Sequence, residues 1–216
     1  MSSSSSPQAK AHILDLMRKL RALPDREYLS CLIAYHAAPT LLGIKPATLI
    51  CPHSAGRNLE QALDECAPCL ALSTGVKMAA FRNRVGALLI LVYNPEQLRD
   101  CLAADDVKRL LVEAGYDAGE TGLDALLRRL AQKCAGREFP HEVGVFLGYP
   151  AEDVRDFIHC RGRDCRMRGV WKAYKNADIA RQRSDRFRWA KLRAAELLVG
   201  GADLGGVVNG LRDSAA

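Results

Sequence analysis

The residues of this sequence best suited to chemistry are His141, Glu142, Gly144 and Gly148. They lie in the segment 139–150, where frequent apolar residues predict a β-strand over 141–149. Alternate residues of a strand share a face, so Glu142, Gly144 and Gly148 are expected on the same face of the predicted strand. Because the glycines leave that face bare, the pattern predicts a groove in which Glu142 binds or protonates a ligand. The alternative is that another element packs on the glycines and Glu142 forms a salt bridge.

Two histidines are candidates for proton transfer. His141 begins the predicted strand, where it could act as a general base at neutral pH or as an axial haem ligand. His36 shares a predicted helix face with apolar residues. Both positions also suit a hydrogen-bonded structural histidine. A thiol-dependent enzyme would pair one of them with Cys31, Cys51 or Cys66 as the nucleophile.

The cysteines suggest metal or redox chemistry. Cys66 and Cys69 form a C-x-x-C motif at the end of a predicted helix, whereas redox enzymes place this motif at a helix start, where the dipole lowers the thiol pKa. With His159, Cys160 and Cys165, the pair could complete a four-ligand zinc site. Eight cysteines without a secretory signal predict reduced thiols and a cytoplasmic location.

Positive charge is concentrated in residues 161–193. This segment holds twelve Lys and Arg against three Asp, in a chain whose net charge is +6. It could be the solvated face of a long helix, a surface for an anionic ligand or an acidic partner, or a nucleic-acid interface. Four aromatic residues lie among the charges and could stack on bases or pack in a core: Trp171, Tyr174, Phe187 and Trp189.

Alternating helices and strands must position these residues. Strands are predicted at 47–51, 85–93, 141–149 and 169–174, the second being apolar throughout and expected at the centre of a sheet. Helices are predicted between and around them, with one ending near Pro68 and a long basic one between Asn176 and Val199. The prediction is an α+β fold: a helix-rich single domain over 9–199 with a small mixed β-sheet of about three to four strands.

The remaining segments are expected to be less ordered. Residues 1–8 are predicted to be a disordered leader, and the glycine-rich residues 200–216 a flexible tail. No apolar run approaches the ~20 residues that a membrane-spanning helix needs, so no membrane association is expected.

Four segments of the sequence resemble one bacterial protein family, the domain of unknown function 3793. They are Ala38-Pro39-Thr40 with Gly43, Lys45 and Pro46; residues 89–93; residues 139–150 with Glu152, Asp153 and Phe157; and Gly169-Val-Trp171-Lys172-Ala-Tyr174. The family has no established activity and is common in anaerobic bacteria. Some relatives are encoded beside, or joined to, flavodoxin-like proteins, which implies redox or iron and tetrapyrrole handling. Relatives often carry closely spaced cysteines before Gly-x-Trp-Lys, whereas here only Cys165 lies close.

The functional expectation is a binding or accessory protein in the cytoplasm. The expected ligand is an anionic redox cofactor such as flavin or haem, a metal such as zinc, or an acidic redox protein. The basic segment would supply contacts to the anion. The expected ligand-binding residues are Lys45, His141, Glu142, Gly144, Gly148, Trp171 and Lys172. A thiol-dependent enzyme is the alternative, and nucleic-acid binding through the basic helix is the third hypothesis.

Overall fold

The structure is a computed structural model, and it describes residues 7–53, 56–119 and 122–215. Its helices are α1 (Pro7–Ala22), α2 (Asp25–His36), α3 (Ala38–Leu41), α4 (Leu59–Thr74), α5 (Pro95–Ala103), α6 (Asp105–Glu113), α7 (Leu123–Cys134), α8 (Val143–Phe146), α9 (Ala151–His159), α10 (Ala177–Val199) and α11 (Leu204–Ala215). Its strands are β1 (Ala47–Ile50), β2 (Lys77–Arg82), β3 (Leu88–Tyr93), β4 (Met167–Arg168) and β5 (Lys172–Ala173).

Strand β3 is the centre of a three-stranded antiparallel sheet with the order β1-β3-β2. Tyr93 is paired with Ala47 of β1 on one side and with Lys77 of β2 on the other. All six β3 residues are buried. A strand covered on both faces needs apolar residues at every position, as its sequence provides.

Two helical layers cover the two faces of this sheet. Leu88, Ile90 and Val92 point into a first core, formed with α1, α2, α4, α10 and α11. Leu89 and Leu91 point into a second core, formed with α5 to α9. The two cores therefore lie on opposite sides of β3, as the alternation of side chains along a strand requires.

The helix-rich α+β fold predicted from sequence is confirmed, as are β1 and the central position of β3. The strands pair only antiparallel among the described residues, so the sheet is not mixed. The strand predicted at 169–174 is limited to β5, which pairs with β4 in a separate two-stranded ladder. Strand β2 was not predicted, because its burial is partial and its sequence has no clear alternation.

The strand predicted at 141–149 is wrong, because this segment forms turns and the short helix α8. Its backbone hydrogen bonds join residues three positions apart. Gly144 N donates to the His141 carbonyl at 3.1 Å, and Val145 N donates to the Glu142 carbonyl at 3.0 Å. All four α8 residues are buried, so the sequence of α8 has no polar face from which a helical periodicity could be recognised. A short apolar run of this kind does not distinguish a strand from a buried helix.

The bare groove predicted over Gly144 and Gly148 is also absent from the structure. A Cβ added to Gly144 would lie 2.7 Å from Val154 Cγ2, and one added to Gly148 would lie 2.5 Å from Pro46 Cδ. Gly148 also has a φ of +75°, which glycine adopts without strain. Both glycines therefore permit close packing of neighbouring segments, as the alternative interpretation held.

Three predicted boundaries also differ from the structure. Helix α4 continues through Pro68 to Thr74, where Gly75 ends it in a left-handed conformation. The segment after Gly200, predicted to be flexible, forms α11 and buries Val207 and Leu211 in the first core. Of the predicted leader, residues 1–6 lie outside the described residues, and α1 begins at Pro7. No described helix is both long and apolar enough to cross a membrane.

Candidate functional site

Two loops meet beside α10 and bring together parts of the chain that are distant in sequence. The ring of Pro46, in the loop before β1, lies against Gly148, in the turn after α8. Arg183 of α10 donates a hydrogen bond to the Gly148 carbonyl at 2.9 Å. This convergence positions the side chains of the candidate site.

Asp153 attaches the 171–175 loop to the same region. Its buried carboxylate accepts hydrogen bonds from Trp171 Nε1 at 2.8 Å, from the Tyr174 backbone N at 2.7 Å and from the Lys175 backbone N at 3.3 Å. Three donors around a buried carboxylate replace the water that it loses on folding. Asp153 is thus a positioning residue for Trp171.

Three aromatic rings form a layer at this junction. Tyr149 and Trp171 are stacked with centroids 5.0 Å apart, and Phe187 of α10 lies 6.4 Å from Trp171. Such contacts between rings contribute stability beyond the area that they bury. The layer offers aromatic faces to the cations around it.

Two cations lie over this aromatic layer and a third lies near them, and we call Lys45, Arg183 and Lys191 the cation cluster. Lys45 Nζ lies 5.1 Å from the Tyr149 centroid and 5.7 Å from that of Phe187. Arg183 Cζ lies 5.5 Å from the Trp171 ring. Lys191 Nζ lies 4.8 Å from the ring of Tyr35 in α2. Arg183, Phe187 and Lys191 recur every four residues and so share one face of α10.

Lys45 is the unusual member of the cation cluster. Only 6% of the residue is exposed, and its ammonium has no hydrogen bond or ion pair to any described residue. Burial, together with the charges of Lys191 and Arg183, lowers the pKa of Lys45 to about 7. Burial also lowers the pKa of Lys191.

Among the described residues, none of the three members of the cation cluster forms an ion pair with a carboxylate. Buried ammonium groups are normally paired, because an uncompensated buried charge is strongly unfavourable. Cation–π contacts contribute only about 0.5–2 kcal/mol each. A phosphate or carboxylate beside Lys45 and Arg183 would neutralise the excess charge and restore the pKa of Lys45 towards its ordinary value.

The structure brings four of the predicted ligand-binding residues to one cleft, which we call the Trp171 cleft. His141, Gly144, Trp171 and Lys172 line this cavity of about 310 Å³, next to the cation cluster. Lys172 Nζ donates a hydrogen bond of 2.6 Å to the Gly162 carbonyl, so part of its hydrogen-bonding capacity is used within the protein. The His141 and Phe157 rings form a T-shaped contact, with their centroids 5.1 Å apart.

Glu142 lies apart from the Trp171 cleft and lines a second cavity of about 490 Å³ with His141, Lys133 and His159. Its Oε1 is 3.1 Å from Lys133 Nζ. Glu142 Oε1 has no hydrogen-bond partner among the residues that the structure describes, so this contact is an ion pair without a hydrogen bond. Glu142 therefore forms a salt bridge, as the alternative interpretation of the sequence predicted, and its partner is a lysine.

The structure separates Cys31 from His141, one pair considered for a thiol enzyme. Cys31 packs against the first core, and His141 lines cavities beside the second core, across the sheet. Burial, and then the charge of Glu27, raises the pKa of Cys31, so its reactive thiolate is disfavoured.

The other thiol candidates have no hydrogen bond to a histidine within the part of the chain that the structure describes. Burial and the charge of Lys191 lower the pKa of His36 to about 4, and its ring contacts Tyr35. Cys66 is buried in α4, where Sγ lies 3.1 Å from Ser30 Oγ. Cys51 is exposed.

The predicted zinc site does not form. Cys66 and Cys69 lie in α4, whereas His159, Cys160 and Cys165 lie at the end of α9 and in the loop that follows. In the described ranges, no group of three or more His, Cys, Asp or Glu side chains could hold a metal ion.

Three residues of the site did not emerge from the sequence: Asp153 as the anchor of Trp171, Tyr149 in the aromatic layer, and Lys191 in the cation cluster. The basic segment had been identified, but not which face of α10 points inward. The repeat of Arg183, Phe187 and Lys191 every four residues is the signal that could have identified that face.

Comparison with known proteins gives one match. The family model described as "Protein of unknown function (DUF3793)" matches residues 33–208, which include every residue of the cation cluster and the aromatic layer. Searches of the curated proteins and of the solved structures found no significant match.

Proposed function

This chain belongs to the DUF3793 family, and we propose that it is a binding protein for a small anionic ligand held by the cation cluster. The observation that carries the proposal is Lys45, which is only 6% exposed and lies beside two further cations, and whose ammonium has no acceptor in the described part of the chain. A protein that keeps such a group gains stability when an anion fills the site, since ligands stabilise the state that binds them.

The surroundings of the cation cluster favour a ligand with a compact anionic group and a flat body. A phosphate or carboxylate presents two or three oxygens, enough to contact both Lys45 and Arg183. The aromatic layer and the Trp171 cleft offer apolar faces next to these cations. A flavin phosphate and a haem propionate are two cofactor groups with this chemistry, and an acidic residue of a redox partner is a third source of the same anion.

The charges on α10 favour this function over nucleic-acid binding. Arg183 and Lys191 contact the aromatic side chains, while Arg188 and Arg193 pair with Asp185 and Glu196. Few cations of the helix therefore remain for a phosphate backbone, which is bound by rows of exposed cations.

The cellular location we propose is the cytoplasm. All eight cysteines are free thiols, and free thiols in this number are typical of a reducing compartment.

The proposal is tested by calorimetric titration with pyrophosphate, flavin mononucleotide and haemin. At least one of them should bind the wild-type protein and raise its melting temperature. Lys45→Met should weaken binding at least tenfold, and Arg183→Gln should weaken it several-fold, because each removes a charge at the anion. Arg181→Gln is the matched control, since Arg181 is exposed on the same helix and has no contact with the cluster.

Two outcomes would contradict the proposal. Equal weakening by Arg181→Gln and Arg183→Gln would indicate diffuse attraction to the basic helix. Failure of all three anions to bind at low ionic strength would leave the cation cluster without the affinity that we infer.

A further inference from the structure

A separate cavity lies between α5, α6 and α7, away from the cation cluster. It has a volume of about 550 Å³, within the ~300–1,000 Å³ typical of small-molecule pockets. Its walls are mainly apolar and include Leu102, Leu111, Leu123 and Leu126. Val112, which also lines it, is 47% exposed. An apolar cavity open to solvent favours an apolar ligand.

The rim of this cavity is basic. Arg99, Lys108 and Arg109 line it and have no ion pair with a described residue. Two acidic residues also line the cavity: Glu113 is paired with Arg155 at 3.4 Å, and Asp117 accepts a hydrogen bond from the Gly119 backbone, so three cations and two carboxylates leave the lining with a net positive charge. The rim therefore offers three free cations beside an apolar interior.

We propose that this cavity binds a single-chain anionic amphiphile, a long-chain carboxylate of the fatty-acid type. Its alkyl chain would occupy the space among the leucines, and its carboxylate would contact the basic rim. Charge complementarity identifies the anionic head group, and the apolar walls identify the alkyl tail. This inference does not depend on the function proposed for the cation cluster, because the two sites share no residue.

The test uses a chain-length series of octanoate, decanoate and dodecanoate, titrated below their micelle concentrations. Each methylene buried in the cavity should tighten binding about fourfold. Dodecanol, which lacks the charge, should bind at least threefold more weakly than dodecanoate. Arg109→Gln should weaken dodecanoate binding about threefold to tenfold and leave dodecanol binding unchanged.

A filled cavity provides a second test. Ala103 is exposed and lines the cavity, so Ala103→Trp should place an indole in it without disturbing the core and should abolish binding. Ala104→Trp is the matched control, because Ala104 is the next exposed residue and does not line the cavity. It should bind dodecanoate like the wild-type protein.

Several results would overturn this inference. Dodecanoate binding that survives Ala103→Trp would place the ligand elsewhere, and loss of binding in Lys45→Met alone would place it at the cation cluster. Affinity that does not rise with chain length would exclude burial of the alkyl tail. Failure of all three carboxylates to bind would also overturn the inference, whatever the anions of the cation cluster do.

Discussion

Two lysines of this protein, the partly buried Lys133 and the buried Lys45, have opposite surroundings. Lys133 Nζ lies 3.1 Å from the Glu142 carboxylate, and it also donates to the Ala114 carbonyl at 2.8 Å. The Lys45 ammonium lies over aromatic rings and near two further cations, and it has no acceptor among the described residues. The first charge is neutralised within the chain, whereas the second is not.

This difference distinguishes a structural charge from a functional one. A buried ion pair that is complete contributes to a defined fold and needs nothing from outside. A buried cation that lacks an acceptor lowers the stability of the free protein and raises its affinity for an anion. The cavity beside Glu142 is larger than the Trp171 cleft, at about 490 Å³ against about 310 Å³, but the charge that lines it is already paired.

Removing the paired lysine should give the largest effect. Lys133→Met leaves the Glu142 carboxylate, whose side chain is only 6% exposed, without its counter-ion. We expect the free energy of unfolding to fall by about 3 kcal/mol in urea denaturation. Adding Glu142→Gln to this variant should recover most of the loss, because no charge then remains buried. A double variant as unstable as the single one would show that the ion pair is not the cause.

Gly148→Ala should disturb the region of Lys45 through its backbone. The substitution introduces a Cβ at a φ of +75° and 2.5 Å from the Pro46 ring. We expect a loss of about 2 kcal/mol and weaker anion binding.

Gly86→Ala is the control for this variant. Gly86 has a similar φ of +78° but nothing within 4 Å of an added Cβ. It should lose only about 1 kcal/mol, so equal losses would mean that contact with Pro46 is unimportant.

Lys45 should make stability increase with pH. In the unfolded chain Lys45 keeps its proton up to its ordinary pKa of 10.5. In the folded chain the pKa of Lys45 is about 7, so the proton is released at a lower pH. The unfolded state therefore binds more protons between these values, and the stability of the free protein rises with pH. We expect a gain of about 1.5 kcal/mol from pH 7 to pH 8.5, measured by denaturation.

Lys45→Met should abolish this gain and should itself be more stable than the wild-type protein at pH 7. A bound anion should also suppress the gain, because it keeps Lys45 protonated. An unchanged pH profile in Lys45→Met would assign the titration to another group.

The titration of His36 should give the smallest change in stability, and this change should occur as the pH falls below 7. The pKa of His36 falls from an ordinary 6.5 to about 4 on folding, so the unfolded chain binds the proton first as the pH decreases. Stability should therefore decrease by about 0.7 kcal/mol from pH 7 to pH 6. His36→Gln should remove this part of the pH dependence, and a decrease that persists would point to other groups.

The sequence predicted those parts of the fold that depend on local pattern. The apolar run of β3 identified a strand buried on both faces, and Asn94 and Pro95 marked the start of α5, where the Asn94 side chain accepts two backbone hydrogen bonds. It did not predict the turns at 141–149, because their conformation depends on Pro46 and Val154 filling the space above the two glycines. Such contacts between distant segments leave no local pattern.

The candidate site was predicted in part for the same reason. Lys45 and Trp171 were named from the segments that resemble the family, and the basic segment was expected to contact an anion. Their meeting depends on Asp153, which holds the loop of Trp171 against α9. Whether Lys45 finds an acceptor is a property of the assembled structure, and no single segment reveals it.

The contact between α1 and α10 has a consequence for the order in which the protein can fold. Leu16 and Leu20 of α1 are buried in the first core, and Lys19 Nζ donates to the Val199 carbonyl, 180 residues further along the chain. A ribosome adding ~5–20 residues per second needs roughly 10–40 s to synthesise that interval. Because α10 forms part of the first core, this core can close completely only after α10 has been synthesised.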